Sequence, residues 1–300
     1  MTASLETLWE PYTPPVSWQP DLRDRRAAVL VRGGGDLASG VVLRLWRAGL
    51  PVVVTELPRP LVVRRKVSFA EAVYQGRTQV DGVPAVRVPA QADAVRAAWR
   101  AGEVPVVVDP EARLRHALRP AVLVDGRMTK RPPELGRDAA ALVVGLGPGF
   151  VAGEHCHAVI ETMRGHTLGR VIWRGAALPD TGLPEAVRQH QADRVLRAPA
   201  DGILETLVTI GQVVDAGTPL LRVAGQVVRA PFRGAVRGLL HPGLPVTRGL
   251  KVGDLDPRAD PRYAYLVSDK SLAIGGGVLE AVLAVPALRM CFYAQGCPPP

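Results

Sequence analysis

The stretch Val29–Gly40, VLVRGGGDLASG, constrains the fold of this chain more than any other. Ala27–Val31 is an apolar run that breaks into three glycines, and LASGVVLRLWRAG after it carries apolar residues at helical spacing. The order strand, glycine turn, helix follows. Gly33, Gly35 and Ala38 fit the spacing G-x-G-x-x-A. The first glycine makes the tight turn, the second lets backbone approach a pyrophosphate, and the small third residue lets helix and strand pack closely. The helix start offers free N–H groups and a positive dipole end to phosphate. Gly33, Gly34, Gly35, Asp36 and Leu37 are therefore candidate ligand contacts. A second strand, PVVVTE, ends at Glu56, close to the offset where a dinucleotide fold sets an acid against a ribose hydroxyl.

Beyond Glu56, strand and helix patterns keep alternating. Ser68 is an N-cap candidate for a short helix carrying Phe69 and Val73 inward, and PAQADAVRAAWRAG has helical spacing. VPVVVDP, AVLVDGR and AALVVGLGPGF read as further strands. Apolar strands without clean alternation, separated by helices, imply a parallel sheet covered on both faces. The expected class is α/β, a doubly wound, Rossmann-like sheet over residues 26–192, preceded by an arm over 1–25 in which Trp9, Tyr12 and Trp18 stand among prolines.

The C-terminal third changes character. Aligning the chain with itself at an offset of 32 matches Ala198-Pro199 to Ala230-Pro231, Gly202 to Gly234, Gly211 to Gly243 and Gly217 to Gly249. Each half reads as a half-barrel that needs its twin to bury its apolar face. This pattern resembles the barrel-sandwich module of biotinyl and lipoyl carriers and is assigned to residues 193–270, with a helix and tail over 271–300. The hairpin that would carry the modified lysine is Val223-Ala224-Gly225-Gln226-Val227, so neither biotin nor lipoate is expected.

The formal charge is +9, from 37 Lys and Arg against 28 Asp and Glu. Five Trp, five Tyr and four Phe supply few stacking platforms, and the arginines are scattered, which argues against nucleic acid and for a small anionic, phosphate-bearing ligand or an acidic partner. Cys156, Cys291 and Cys297 make no disulfide framework. With no signal peptide and no membrane-length apolar run, a cytoplasmic protein is expected, and a homo-oligomer is compatible with the sequence.

A second glycine loop, Val143–Gly153, puts Gly147 and Gly149 at the carboxyl end of a strand, where open α/β sheets bind ligands. Behind it come Glu154, His155, Cys156, His157, Glu161, Arg164 and His166. His157 and Glu161 are four apart and would share a helix face, so His157, Glu161 and His166 are candidate acid–base groups, with Arg164 beside them. The set lacks a full ligand complement, and no metal site is assigned. Two histidine neighbours would lower the pKa of Cys156, whose competing reading is a buried small hydrophobe. Arg64 and Arg65 are candidates for gripping phosphate, and Asp36 inside a phosphate loop calls for a helix cap or a Mg²⁺ ion.

With RGGGDLASG, TELPRPLVVRRKVSFAEAVYQG, LGPGFVAGEHCHAVIETMRGHTLGRVI, RAPADG and LVSDKSLAIGGGVLEAVL in view, the chain resembles the YqeB-type accessory proteins of the selenium-dependent molybdenum hydroxylase system, relatives of xanthine dehydrogenase maturation factors. The resemblance implies a maturation role: binding molybdenum cofactor, or a nucleotide form of it, for a client hydroxylase. Cys156 would then carry sulfur, and the cluster from His157 to His166 would face the transferred group. Turnover is not implied. Two other readings stand beside it: an NAD(P)-dependent oxidoreductase with Glu56 on the ribose, and a non-enzymatic adaptor using the barrel module. NAD and a CTP-derived nucleotide are both candidate ligands of the glycine loop.

Overall fold

The computed structural model describes residues 22, 25–129, 133–180 and 193–294. Apart from Leu22 and Arg25, the arm over 1–25 lies outside them, as do His190 and Cys297. The first apolar run forms β1 (Arg26–Arg32), flanked by β2 (Val52–Glu56) and β6 (Pro120–Asp125). Next to β2 lies β5 (Val104–Val108), and beyond β6 lie β7 (Leu142–Leu146) and β9 (Ala158–Ile160). These six strands run parallel. Helices cover both faces, which is why β2, β6 and β7 are buried at every residue and read as apolar runs.

The sheet does not stay parallel to its edges. β4 (Val83–Val88) pairs parallel to β5, but β3 (Arg77–Val80) folds back on β4 through Asp81 and Gly82, both at positive φ. At the far edge β10 (Val171–Ile172) is antiparallel to β9. The nine strands run β10-β9-β7-β6-β1-β2-β5-β4-β3.

Helix α1 (Asp36–Arg47) packs on one face together with α5 (Asp269–Leu283) and α6 (Pro286–Ala294) from the far end of the chain. Gly275–Gly277 lie inside α5. A Cβ on Gly40 of α1 would stand 2.1 Å from the Ser271 carbonyl oxygen, and one on Gly275 would stand 2.3 Å from the Gly40 carbonyl oxygen. The glycines are where two helices meet backbone to backbone. The Ser68 segment is also shorter than its pattern suggests: a 3-10 turn (Phe69–Glu71) leads into the single-turn α2 (Ala72–Gln75), and the Ser68 hydroxyl donates to the Arg64 carbonyl instead of capping. On the opposite face α3 (Ala92–Arg100) and α4 (Leu114–Leu118) bury Val95, Leu114 and Leu118 against Leu30, Val53, Val107 and Leu123. β8 (Val151–Ala152) and β11 (Gly175–Ala176) form a separate two-stranded ladder.

The later strands make two four-stranded antiparallel sheets. One holds β12 (Val195–Arg197), β19 (Lys251–Asp256), β17 (Gly234–Leu239) and β14 (Val213–Val214) in that order. The other holds β16 (Gln226–Arg229), β15 (Pro219–Val223), β13 (Gly202–Thr206) and β18 (Pro245–Val246). β14 pairs with β17 and β18 with β13, so each half of the repeat lends its short strand to the other.

The fold class expected from the sequence is therefore corrected. The large sheet is mixed, because an Asp-Gly hairpin and the turn before β10 reverse its edge strands. The C-terminal strands form two separate sheets with no barrel-sandwich domain evident, and the final helices return to the first sheet. Among the described residues no single helix is long and apolar enough to cross a membrane.

Candidate functional site

The carboxyl ends of β1, β2, β5 and β6 surround a cleft of about 440 Å³. In open α/β sheets ligands bind at that edge, outside the strand ends. Its floor is the glycine turn. Gly33, at φ +87°, donates to the Thr55 carbonyl at 2.7 Å, which draws β1 and β2 together just before the turn. Gly35 is extended and begins α1 without a side-chain cap, so the helix end is left to whatever occupies the cleft.

Glu56 has a different partner from the one expected. One carboxylate oxygen accepts from the Gly34 N–H and the other from the Leu57 N–H, both at 2.7 Å. Burial pushes its pKa up, and these two amides pull it partly back. The Gly34 carbonyl accepts from Ala70 N–H and from the Ser39 hydroxyl. Gly34 is thus spent inside the protein, which leaves the Gly35, Asp36 and Leu37 end of the loop nearest the helix dipole.

Asp36 does not repel an anion from this loop, because its carboxylate is already satisfied. It pairs with Arg64 Nη1 at 3.0 Å and accepts from the Ser271 hydroxyl at 2.9 Å. The other Arg64 nitrogen, Nη2, donates to the Tyr263 and Leu266 carbonyls. Arg65 donates to the Leu239 carbonyl through Nε and pairs with Glu71. Arg64 thus ties the segment around the 3-10 turn at residues 65–67 to residues 263–266, and Arg65 ties it to β17; neither lines the cleft.

The charges that do line it are Arg32 and Arg127, which the sequence reading passed over. Arg32 is 2% exposed at the end of β1. Its Nη1 reaches Asp125 at 3.2 Å and Glu134 at 3.3 Å, its Nη2 reaches the Pro110 carbonyl, and its buried Nε has no hydrogen-bond partner. Burial lowers its pKa, against the pull of Asp125. Arg127 grips Asp125 through Nε and Nη2 and also pairs with Glu134, whose pKa falls to about 2 under that hydrogen bond. Leu57, Pro60, Leu61 and Val62 form an apolar wall opposite, with Leu57 and Leu61 about half exposed. Two signals pointed here: an arginine directly before the glycines, and Asp-Gly-Arg directly after a buried strand.

The histidine-rich stretch is not a cluster facing this cleft. Cys156 is fully buried, and burial raises its pKa to about 12, so no thiolate is presented. His157 Nδ1 accepts from the Val143 N–H, and burial lowers its pKa to about 4. Glu161 is 2% exposed; Oε1 accepts from the Thr162 and Met163 N–H groups and Oε2 from Leu178 N–H. Arg164 pairs through two nitrogens with Asp269, and His166 is exposed. Gly147, at φ +69°, sits in a turn whose missing Cβ makes room for Thr162, and Gly149 is also left-handed at φ +103°. No group of three or more His, Cys, Asp or Glu among the described residues is placed to hold a metal ion.

No family model matches the chain. It is 46% identical over 255 residues, 85% of its length, to the uncharacterized protein YqeB of Escherichia coli K12. It spans about half of that relative, 47% of its length. Among solved structures, it is similar to the product-bound ectoine utilization protein EutE of Ruegeria pomeroyi at 16% identity and TM-score 0.22, covering 76% of this chain and 56% of that one. It is also similar to a succinylglutamate desuccinylase of Silicibacter at 12% identity and TM-score 0.24, covering 77% and 85%. Likenesses of that extent bring neither fold nor chemistry to this chain. The residues assigned to molybdenum chemistry do not face the cleft: Cys156, His157, Glu161 and Arg164 are committed to local structure, and the exposed His166 does not line it. The maturation role is therefore corrected. So is the oxidoreductase alternative, since the Glu56 carboxylate binds the glycine turn itself, and so is the adaptor reading, which required a barrel module.

Proposed function

We propose that a protein related to half of YqeB uses the cleft at the ends of β1, β2, β5 and β6 to bind a small phosphate-bearing ligand with an apolar body, of mononucleotide size. The observation that carries this reading is Arg32, a buried guanidinium lining the cleft with an Nε that finds no acceptor. An unmet buried donor is costly, roughly 1–3 kcal/mol, and an anion in the cleft would relieve it. The uncapped start of α1 adds a second source of positive potential, worth typically 0.3–1 kcal/mol to an anion. The Leu57, Pro60, Leu61 and Val62 wall offers the other end of such a ligand an apolar surface.

Calorimetric titration of the full chain with inorganic phosphate, AMP and CMP tests the reading. Binding is expected, tighter for the nucleotides than for phosphate, and weakened about tenfold or more in Arg32→Met, the scale of a lost charged hydrogen bond. Gly35→Leu blocks the cleft without straining the backbone, because Gly35 is extended and a Cβ there meets only Val62 at 3.9 Å. Equal binding in wild type and Gly35→Leu would place the ligand elsewhere and end the proposal.

A further inference from the structure

A second, larger cleft of about 860 Å³ opens where β3 faces the C-terminal sheets. β3 is the last strand of the nine, so one side of its backbone has no neighbouring strand. The register says which groups that side offers. Val80 and Val83 flank the two-residue Asp81–Gly82 turn, and Arg87 N–H donates to the Gly76 carbonyl at 2.8 Å. Hydrogen-bonded pairs alternate along an antiparallel ladder, so Gly76, Thr78 and Val80 bond inward to β4. The N–H and C=O groups of Arg77 and Gln79 then face outward. Gln79 is paired with Pro84, which has no N–H to give, as this parity requires. Among the described residues no hydrogen bond reaches those outward groups.

That edge forms a wall of the cleft, and the adjoining wall is basic. Arg65, Lys66 and Arg77 line it with one acid, Glu71; Arg65 holds Glu71 at 2.8 Å and Arg77 pairs with Glu103, which leaves Lys66 as the cation with charge to spare. Lys66 is exposed and carries no ion pair among the described residues. Across the gap stand Thr206, Thr209 and His241, the last with its ring stacked 4.1 Å from Tyr74. Basic residues on a sheet edge also discourage edge-to-edge pairing between copies. Here the facing wall turns the edge into a slot, with unused main-chain groups on one side and the Lys66 ammonium beside them.

We propose that this slot binds an extended acidic segment of a partner protein, added as a further strand along β3. Affinity would come from the outward backbone groups of Arg77 and Gln79, and selectivity from Lys66, since the Arg77 guanidinium already pairs with Glu103. The site is separate from the phosphate cleft and does not depend on that reading.

Fluorescence anisotropy of the full chain with a labelled peptide of about seven residues alternating Glu and Val, long enough to span β3 at about 3.3 Å per residue, tests this. Binding is expected for that peptide and not for its Lys/Val counterpart. Lys66→Glu should weaken it about tenfold. Gln79→Pro removes only an outward N–H, a position where an edge strand tolerates proline, so it should weaken binding severalfold with an unchanged unfolding midpoint. Two results would overturn the proposal: no binding of the acidic peptide, or equal binding of its fully N-methylated form, which keeps the charges and loses the strand hydrogen bonds. Gly35→Leu should leave peptide binding intact, which keeps the two sites distinguishable.

Discussion

The segment from Glu154 to His166 and the cleft beside Arg32 are opposites in composition and in what they leave unused. The first packs two carboxylates, three histidines, a thiol and an arginine into thirteen residues. All but the exposed His166 have a structural partner or are sealed from solvent, with three backbone N–H groups on Glu161 alone. The second holds few side chains that a motif search would notice, yet it contains a buried donor without an acceptor and a helix start without a cap. Reactive residue types mark a site only when their hydrogen-bonding capacity is left over. What remains unsatisfied is the better guide.

The strongest test of that contrast is Glu161→Ala. Removing a buried carboxylate strands three amide donors, and the unfolding free energy should fall by about 3 kcal/mol or more in urea denaturation. Phosphate binding by the folded fraction should not change. A variant that stays as stable as wild type but loses ligand binding would break the comparison, because Glu161 would then be a functional group.

His157 supplies the next largest effect, read as a pH dependence. Its pKa is about 4 when folded and 6.5 when free, so between those values the unfolded chain binds more protons than the native one. Stability should be full above pH 6.5, fall as the pH drops toward 4 and then level off, by about 2 kcal/mol once the ring's partial exposure is allowed for. His157→Asn keeps an acceptor for the Val143 N–H and should flatten this slope. A slope that survives in His157→Asn would assign it to another group.

Cys156 should behave as a core residue. Iodoacetamide at pH 8 should label it only after unfolding, as mass spectrometry would record, and Cys156→Ala should cost about 1 kcal/mol. Rapid labelling in the native state would restore it as a nucleophile.

The sequence made parts of this molecule legible and hid others for physical reasons. β1, the glycine turn and α1 could be read because strand, turn and helix each leave a local pattern. The repeat could be read because its turns need left-handed residues at fixed spacing, and Gly211, Gly243, Gly217 and Gly249 all have positive φ. The packing of α5 on α1 could not be read, because the approach of Gly275 to Gly40 is a contact between residues over two hundred positions apart. Asp81–Gly82 was a readable hairpin signal that went unused, and with it the antiparallel edge. The position of Glu56 at the end of β2 could be read from the apolar run before it, but its partner could not, because the bond to Gly34 depends on how closely β2 approaches the glycine turn, and no spacing rule carries that.

The smallest predicted effect is the most direct reading of the cleft. Glu134 is two-thirds exposed and shares Arg32 and Arg127 with Asp125, so an anionic ligand in the cleft would draw on the same guanidiniums. A pair with one exposed partner contributes roughly 0–1 kcal/mol, so Glu134→Gln should tighten AMP binding only about two- to fivefold, with little change in stability. The sign matters more than the size. If Glu134 competes with the ligand, neutralising it can only strengthen binding, whereas a carboxylate that positions Arg127 for the ligand would weaken binding when lost. Added salt separates the cases further: screening should shrink the gain in Glu134→Gln, because the interaction removed is an exposed Coulombic one. A tightening that salt reduces would locate the ligand's charge at Arg32 and Arg127, and no change at all would place it wholly on the α1 end of the glycine turn.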